Sequence, residues 1–283
     1  MANQQRLRVG LVVGQRESWQ ELVRRAQLVE ELALDTIWVV DHFFGGSDEL
    51  GDTHEAYTVL AGLAMATSSA RLGVMVAGNT YRNPAVLLKQ AVTVDHISDG
   101  RVDFGIGAGW WEREHEAYSY VFPSAGDRVS MFEEALEAID SFQRNERTYF
   151  NGKFYQYVNT PFEPKPIQRP RMPMLVGAGG PRMLGITAKY ADIWNTRSEL
   201  DEAKAKSDLL DEKCREIGRD PGDILRSVWP FSNELESVDK LENYITSFRE
   251  QGFDDFLFTW PSNDDEMAVV AEAARTLIPE MKG

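Results

Sequence analysis

The chain is poor in positive charge. Among 283 residues, 30 Lys and Arg stand against 45 Asp and Glu, a formal net charge of −15. So acidic a composition argues against nucleic-acid binding and against docking on anionic membranes. Cysteine is almost missing. Cys214 stands alone in a charged helical stretch, which excludes an internal disulfide and marks an ordinary thiol. No window approaches the ~18 apolar residues of a membrane helix. The opening MANQQRLRVG lacks the apolar core of a secretion signal, so a cytoplasmic protein is expected. Histidine is scarce too: His42, His54, His96 and His115 are the whole set. No H-x-H or H-E-x-x-H occurs and no three histidines gather at strand ends, so no metal site is expected. G-x-S-x-G is absent and Cys214 lies mid-helix, which leaves no nucleophile of the hydrolase kind.

What is present is a repeat of alternating strands and helices. Short apolar runs rich in β-branched residues lie at 7–13, 36–40, 71–77, 102–106, 173–177, 192–196, 224–229 and 255–260. They show no clean polar alternation, as parallel strands buried on both faces should not. Amphipathic helical stretches follow them at 18–33, 56–69, 84–98, 127–145, 180–190, 201–217, 236–251 and 264–280. Ser18 is a candidate N-cap, and Pro84 suits the first turn of its helix. Eight strand–helix units predict a (β/α)₈ TIM barrel, one domain over residues 1–283. A doubly wound sheet would usually stop near six strands and carry its phosphate loop after the first. One segment, 146–172, breaks the repeat between the fourth helix and fifth strand. Its RTYFNGKFYQYVN reads as a hairpin about Asn151-Gly152, and the five-proline TPFEPKPIQRPRMP as an extended surface connection.

In such a barrel the chemistry sits past the C-terminal ends of the strands. Those ends here carry many glycines and tryptophans and few acids. That suits a large planar ligand with an anionic tail, because glycine lets backbone approach a phosphate and indoles line a cleft. GAGGPRML, residues 177–184, joins the fifth strand to a helix and offers that helix's free N–H groups to an anion; a plain tight turn is the other reading. GIGAGWW, 105–111, lacks the third glycine of the dinucleotide motif and follows the fourth strand, so a Rossmann reading fails; a second loop around the same ligand remains. His96 reads as structural, and His54 and His115 as surface residues. His42 differs, because WVVDHFF sets it just past a strand beside Asp41. Asp41 could fix its tautomer, although neighbours on a strand point to opposite sides. His42 and Asp41 are thus the catalytic candidates, against a strand that merely ends on two polar residues.

Three blocks together resemble the bacterial luciferase-like monooxygenase superfamily of (β/α)₈ flavin and deazaflavin oxidoreductases. They are WVVDHFF, RLGVMVAGNTYRNPAVLLKQAVTVDHISDGRVDFGIGAGWWEREHEAYSY and PMLVGAGGPRMLGITAKYADIWN. The middle block is the most specific, and within the superfamily the chain looks most like the coenzyme F420-dependent branch. The resemblance implies hydride transfer between F420 and a small organic substrate. It sets Asp41 and His42 under the ring and Gly78, Asn79 and Thr80 along it, with a non-prolyl cis peptide near Met75-Val76. Gly107, Ala108 and Gly109 would wrap the ribityl chain, and Gly177, Ala178, Gly179 and Gly180 the phosphate. Trp110, Trp111 and Trp194 would wall the cleft, though each could be ordinary packing. Arg82, Arg113 and Arg182 are candidates for the anionic tail. Two departures stand out: the branch's sugar-phosphate dehydrogenases carry Trp and Glu where this chain has Gly46 and Trp110. The substrate must therefore be a different one. A reduced-FMN monooxygenase on the same barrel is the alternative, and a barrel that binds cofactor without catalysis a third. Family members are commonly dimers, so a homodimer is expected.

Overall fold

The computed structural model describes residues 7–46 and 48–283, so most of the opening stretch lies outside the described residues. The chain begins with β1 (Arg8–Val12), α1 (Trp19–Glu31), β2 (Thr36–Val39), α2 (Ala56–Ala66), β3 (Arg71–Val74), β4 (Ala77–Gly78) and α3 (Pro84–Ile97). It continues with β5 (Val102–Gly107), α4 (Glu112–Ala117), α5 (Ala125–Arg144), β6 (Arg147–Asn151) and β7 (Gln156–Pro161). Then come β8 (Met174–Gly177), α6 (Pro181–Tyr190), β9 (Ile193–Thr196), α7 (Leu200–Glu216), β10 (Leu225–Val228), α8 (Val238–Arg249), β11 (Phe253–Thr259), α9 (Asp264–Arg275) and α10 (Leu277–Lys282).

The sheet runs β3-β2-β1-β11-β10-β9-β8-β5-β4, and a further β3–β5 pairing closes it. Every pairing in it is parallel, from Leu72↔Val102 at the closure to Arg8↔Asp255 between the first and last strands. β3 and β4 are two lengths of one barrel strand, since both pair with β5. The strand expected at 71–77 is thus interrupted, at the cis peptide Met75–Val76. Counting that strand once gives the eight of a (β/α)₈ barrel.

The local causes follow from the sequence. Ser18 caps α1 by accepting from the Glu21 N–H, and Leu22, Ala26 and Val29 form its buried stripe. Asn83 caps α3 ahead of Pro84. Between sheet and helices lies the larger apolar core, and a smaller one fills the barrel interior with Val12, Trp38, Met75, Leu175, Ile193 and Leu257. Gly73 makes room for that interior: a Cβ there would stand 2.1 Å from the Trp38 ring. The inserted hairpin β6–β7 is antiparallel, with Gly152 N–H donating to the Tyr155 carbonyl at its turn. Two helical expectations shift. The six residues of α4 form a helix that was not among the expected stretches. The stretch 264–280 is two helices, because Pro279 cannot donate to residue 275 and its ring crowds that carbonyl.

Candidate active site

A cavity of ≈ 720 Å³ opens at the C-terminal ends of the strands. β2 ends in it with Val40, Asp41 and His42, and the β3–β4 strand with Met75 to Gly78. The loops after β5 and β8 contribute Gly107, Gly109, Trp110, Gly177, Ala178 and Gly179, with Lys206 beside the last of these, and the rest of the wall holds Asn195, Arg197, Trp229 and Phe231.

His42 is held from behind. Its Nδ1 lies 2.8 Å from Oε2 of Glu114, a carboxylate with no exposed side-chain surface. The same oxygen accepts from the Tyr81 hydroxyl at 2.5 Å, and Oε1 accepts from the Phe43 N–H at 2.6 Å. Burial pushes the Glu114 carboxyl up, but these bonds from His42, Tyr81 and Phe43 more than offset it, so its pKa lies below the ordinary value. Tyr81 moves up, first through burial and then through its bond to that carboxylate. An ionised Glu114 only accepts, so Nδ1 carries the proton, and a neutral imidazole presents Nε2 to the cavity as an acceptor. The indoles of Trp111 and Trp110 pack against the ring nearly edge-on, with centroids at 5.2 and 5.8 Å.

Asp41 does not play that part. Its carboxylate is gripped by both terminal nitrogens of Arg82, at 2.7 and 2.9 Å, and accepts from the Gly78 N–H at 2.9 Å. It therefore fixes the rim of β4 rather than the tautomer of His42. The reason is strand geometry, which turns consecutive side chains to opposite sides. Arg82 also pairs with Glu55 and so is spent inside the protein. Arg113 pairs with Glu49 at the surface, and Arg182 bonds Ser130 and the Gly126 carbonyl on α5. None of these three arginines is among the residues lining the cavity.

Other expected contacts also turn away. Trp194 is fully buried in the outer core, packs on Phe253 and donates its indole N–H to the Ala178 carbonyl at 3.0 Å. Its neighbours Ile193 and Asn195 face the barrel interior and the cavity, so alternation on β9 sends the indole outward. Trp194 thus supports the glycine loop from outside, a correction to its expected place in the cleft. Asn79 is buried with its amide nitrogen toward the Tyr155 hydroxyl. Thr80 bonds Nε2 of His115 at 2.7 Å. Ala108 packs on the outer core, and Gly180 is exposed at the start of α6. His115, read as a surface residue, is completely buried, its Nδ1 on the Trp111 carbonyl.

Two cavity cations escaped the sequence reading. Lys206 on α7 reaches back to the glycine loop, where a Cβ on Gly179 would lie 3.3 Å from its Nζ. It bonds Ser198 and Glu202, both at 2.8 Å. Gly180 is the N-cap of α6 and supplies no side-chain cap bond, so the first N–H groups of the helix stay available. Glycine loop, open helix start and lysine form an anion cradle at one end of the cavity. Arg197 lines the same cavity. Among the described residues no cluster of three His, Cys, Asp or Glu could hold a metal, and no helix is long and apolar enough to cross a membrane.

A parallel (β/α)₈ barrel with a glycine-walled cleft at its strand ends, large enough for a flavin-sized molecule, defines the class of protein. The chain belongs to the luciferase-like monooxygenase family, whose model matches residues 3–231. An F420-dependent glucose-6-phosphate dehydrogenase of Amycolatopsis mediterranei is 31% identical over 172 residues, 60% of this chain. That match spans half of the dehydrogenase's length. A pyrimidine monooxygenase of Bradyrhizobium sp. is 28% identical over 252 residues, 84% of this chain and 67% of that protein. The fold is shared with the coenzyme F420-dependent tetrahydromethanopterin reductase of Methanopyrus kandleri: TM-score 0.84 at 16% identity, over 98% of this chain and 99% of that one.

Proposed function

We propose that the protein is an F420-dependent oxidoreductase acting on a small organic substrate, with the whole chain working as one barrel domain. The observation that carries this is the continuous cavity from His42 past Gly107 and Gly109 to Gly179 and Lys206. Its anion cradle, glycine walls and volume suit a deazaflavin with a phosphate-bearing side chain. When bound, F420 supplies hydride transfer at its ring. The chain's own residues would do the rest. Lys206 and the open N–H groups of α6 would hold the phosphate. The backbone at Met75 to Gly78 would form the floor, kept in place by the Asp41–Arg82 pair. Trp110 and Trp229 would narrow the mouth against water, and Nε2 of His42 would take or give a proton at the substrate.

The test is titration of the purified protein with F420 and separately with FMN, followed by fluorescence quenching. F420 should bind and FMN should bind far more weakly. Tight FMN binding without F420 binding would favour the second reading, a reduced-FMN monooxygenase, which the likeness to the pyrimidine monooxygenase supports.

A further inference from the structure

Arg197 follows β9 directly and is built unlike the other arginines near the barrel. Its guanidinium lies near two rings, 4.2 Å from the centroid of Trp229 and 4.4 Å from that of Phe231. Its one hydrogen bond among the described residues is a long one, 3.3 Å to the Pro230 carbonyl. Arg8, Arg71, Arg82, Arg171 and Arg226 all pair with carboxylates. In a chain with an excess of acids, Arg197 forms no ion pair among the described residues. The two rings shield part of the guanidinium, although the residue as a whole is exposed, and its N–H groups border the cavity.

Arg197 borders the main cavity and a smaller chamber of ≈ 240 Å³ between the loops after β10 and β11. The chamber's two carboxylates are occupied: Glu234 by Ser232, and Glu266 by Ser262, Asn233 and Asn263. Phe231, Leu235, Phe258 and Trp260 share the rest of the wall with Ser232, Asn233, Thr259 and Ser262. The glycine cradle after β8 already has its own cation in Lys206, so Arg197 is a second cation on the same cavity.

We propose that Arg197 is a specificity residue that receives the carboxylate of an apolar organic acid, the substrate whose other end lies toward His42. This rests on the reading that the cavity holds a redox cofactor at the glycine cradle. The planar fork would bind the carboxylate through two N–H groups, beside the rings of Trp229 and Phe231.

The experiment uses isothermal titration calorimetry on cofactor-loaded protein, with cinnamate and the neutral cinnamamide as probes. The wild type should prefer cinnamate by about tenfold or more, as a bidentate charged pair implies. Arg197→Gln should erase that preference, and Arg197→Lys, which keeps charge but not the fork, should retain part of it. The F420 affinity of both variants should match the wild type. An equal affinity for both probes in the wild type would overturn the proposal, as would cinnamate binding unaffected by Arg197→Gln. Weakened F420 binding in Arg197→Gln would assign the guanidinium to the cofactor instead. If the protein takes FMN and not F420, the cofactor reading fails, and the same comparison on FMN-loaded protein still decides the role of Arg197.

Discussion

A neutral imidazole offers one nitrogen as a base only if something keeps the proton on the other. Glu114 does this for His42, and the two residues lie 72 positions apart. His42→Ala should lower turnover by about 10²–10⁴-fold while changing cofactor affinity far less, measured by steady-state kinetics beside a binding titration. Unchanged turnover would remove it from the catalytic list. Glu114→Gln should cost about 1–3 kcal/mol of stability, through mispaired buried donors. The pH dependence has a definite sign. The folded pKa of Glu114 is depressed, so its contribution is present above the ordinary carboxylate value of about 4.3 and is lost as pH falls through the lower folded value. The difference in melting temperature between wild type and Glu114→Gln should therefore shrink in acid; a gap that widened there would refute the assignment. His42 was legible in the sequence because it ends an apolar run. Glu114 was not, because WEREHEAYSY looks like a solvated helix face. Only the fold shows that one turn of it is buried with Glu114 and His115 inward.

At the scale of elements, the barrel itself was readable because each strand–helix unit carries its own pattern. What blurred was detail that depends on a partner strand or on pleat. The cis peptide at Met75–Val76 was expected from the resemblance and is present, but only β5 alongside shows that β3 and β4 continue one strand. The outward turn of Trp194 follows from which face of β9 meets the helices. Lys206 lies 27 residues beyond Gly179 on a different helix, and no local motif joins them. The start of α6 yields a prediction of its own. Gly179→Val would crowd Lys206 and close the approach to the helix N–H groups. Cofactor affinity should fall by up to about 30-fold, the ~2 kcal/mol that a favourable helix terminus can provide. The melting temperature should barely move, since Gly179 is exposed. Retained affinity would shift the phosphate to another part of the rim.

For the whole molecule the governing quantity is the net charge of −15. F420, the proposed cofactor, is multiply anionic and would approach a protein of its own sign, and the cation at Lys206 would act only at short range. Added salt screens the long-range repulsion, since the Debye length falls from ~30 Å at 0.01 M to about 8 Å at 0.15 M. The association rate of F420 should therefore rise over that range in stopped-flow fluorescence, whereas a falling rate would mean that local attraction dominates. The pairing of Arg8 on β1 with Asp255 on β11 sets another whole-molecule property, one of time. During synthesis β2 can cover one edge of β1, but the other edge waits for a strand made almost a whole chain later. At the usual 5–20 residues per second that interval is roughly 10–50 s. Until it ends the ring stays open and its interior apolar side chains lack their last wall. The nascent chain is then an unfinished sheet with an unpaired edge, the kind of surface that invites aggregation until the last strand is made.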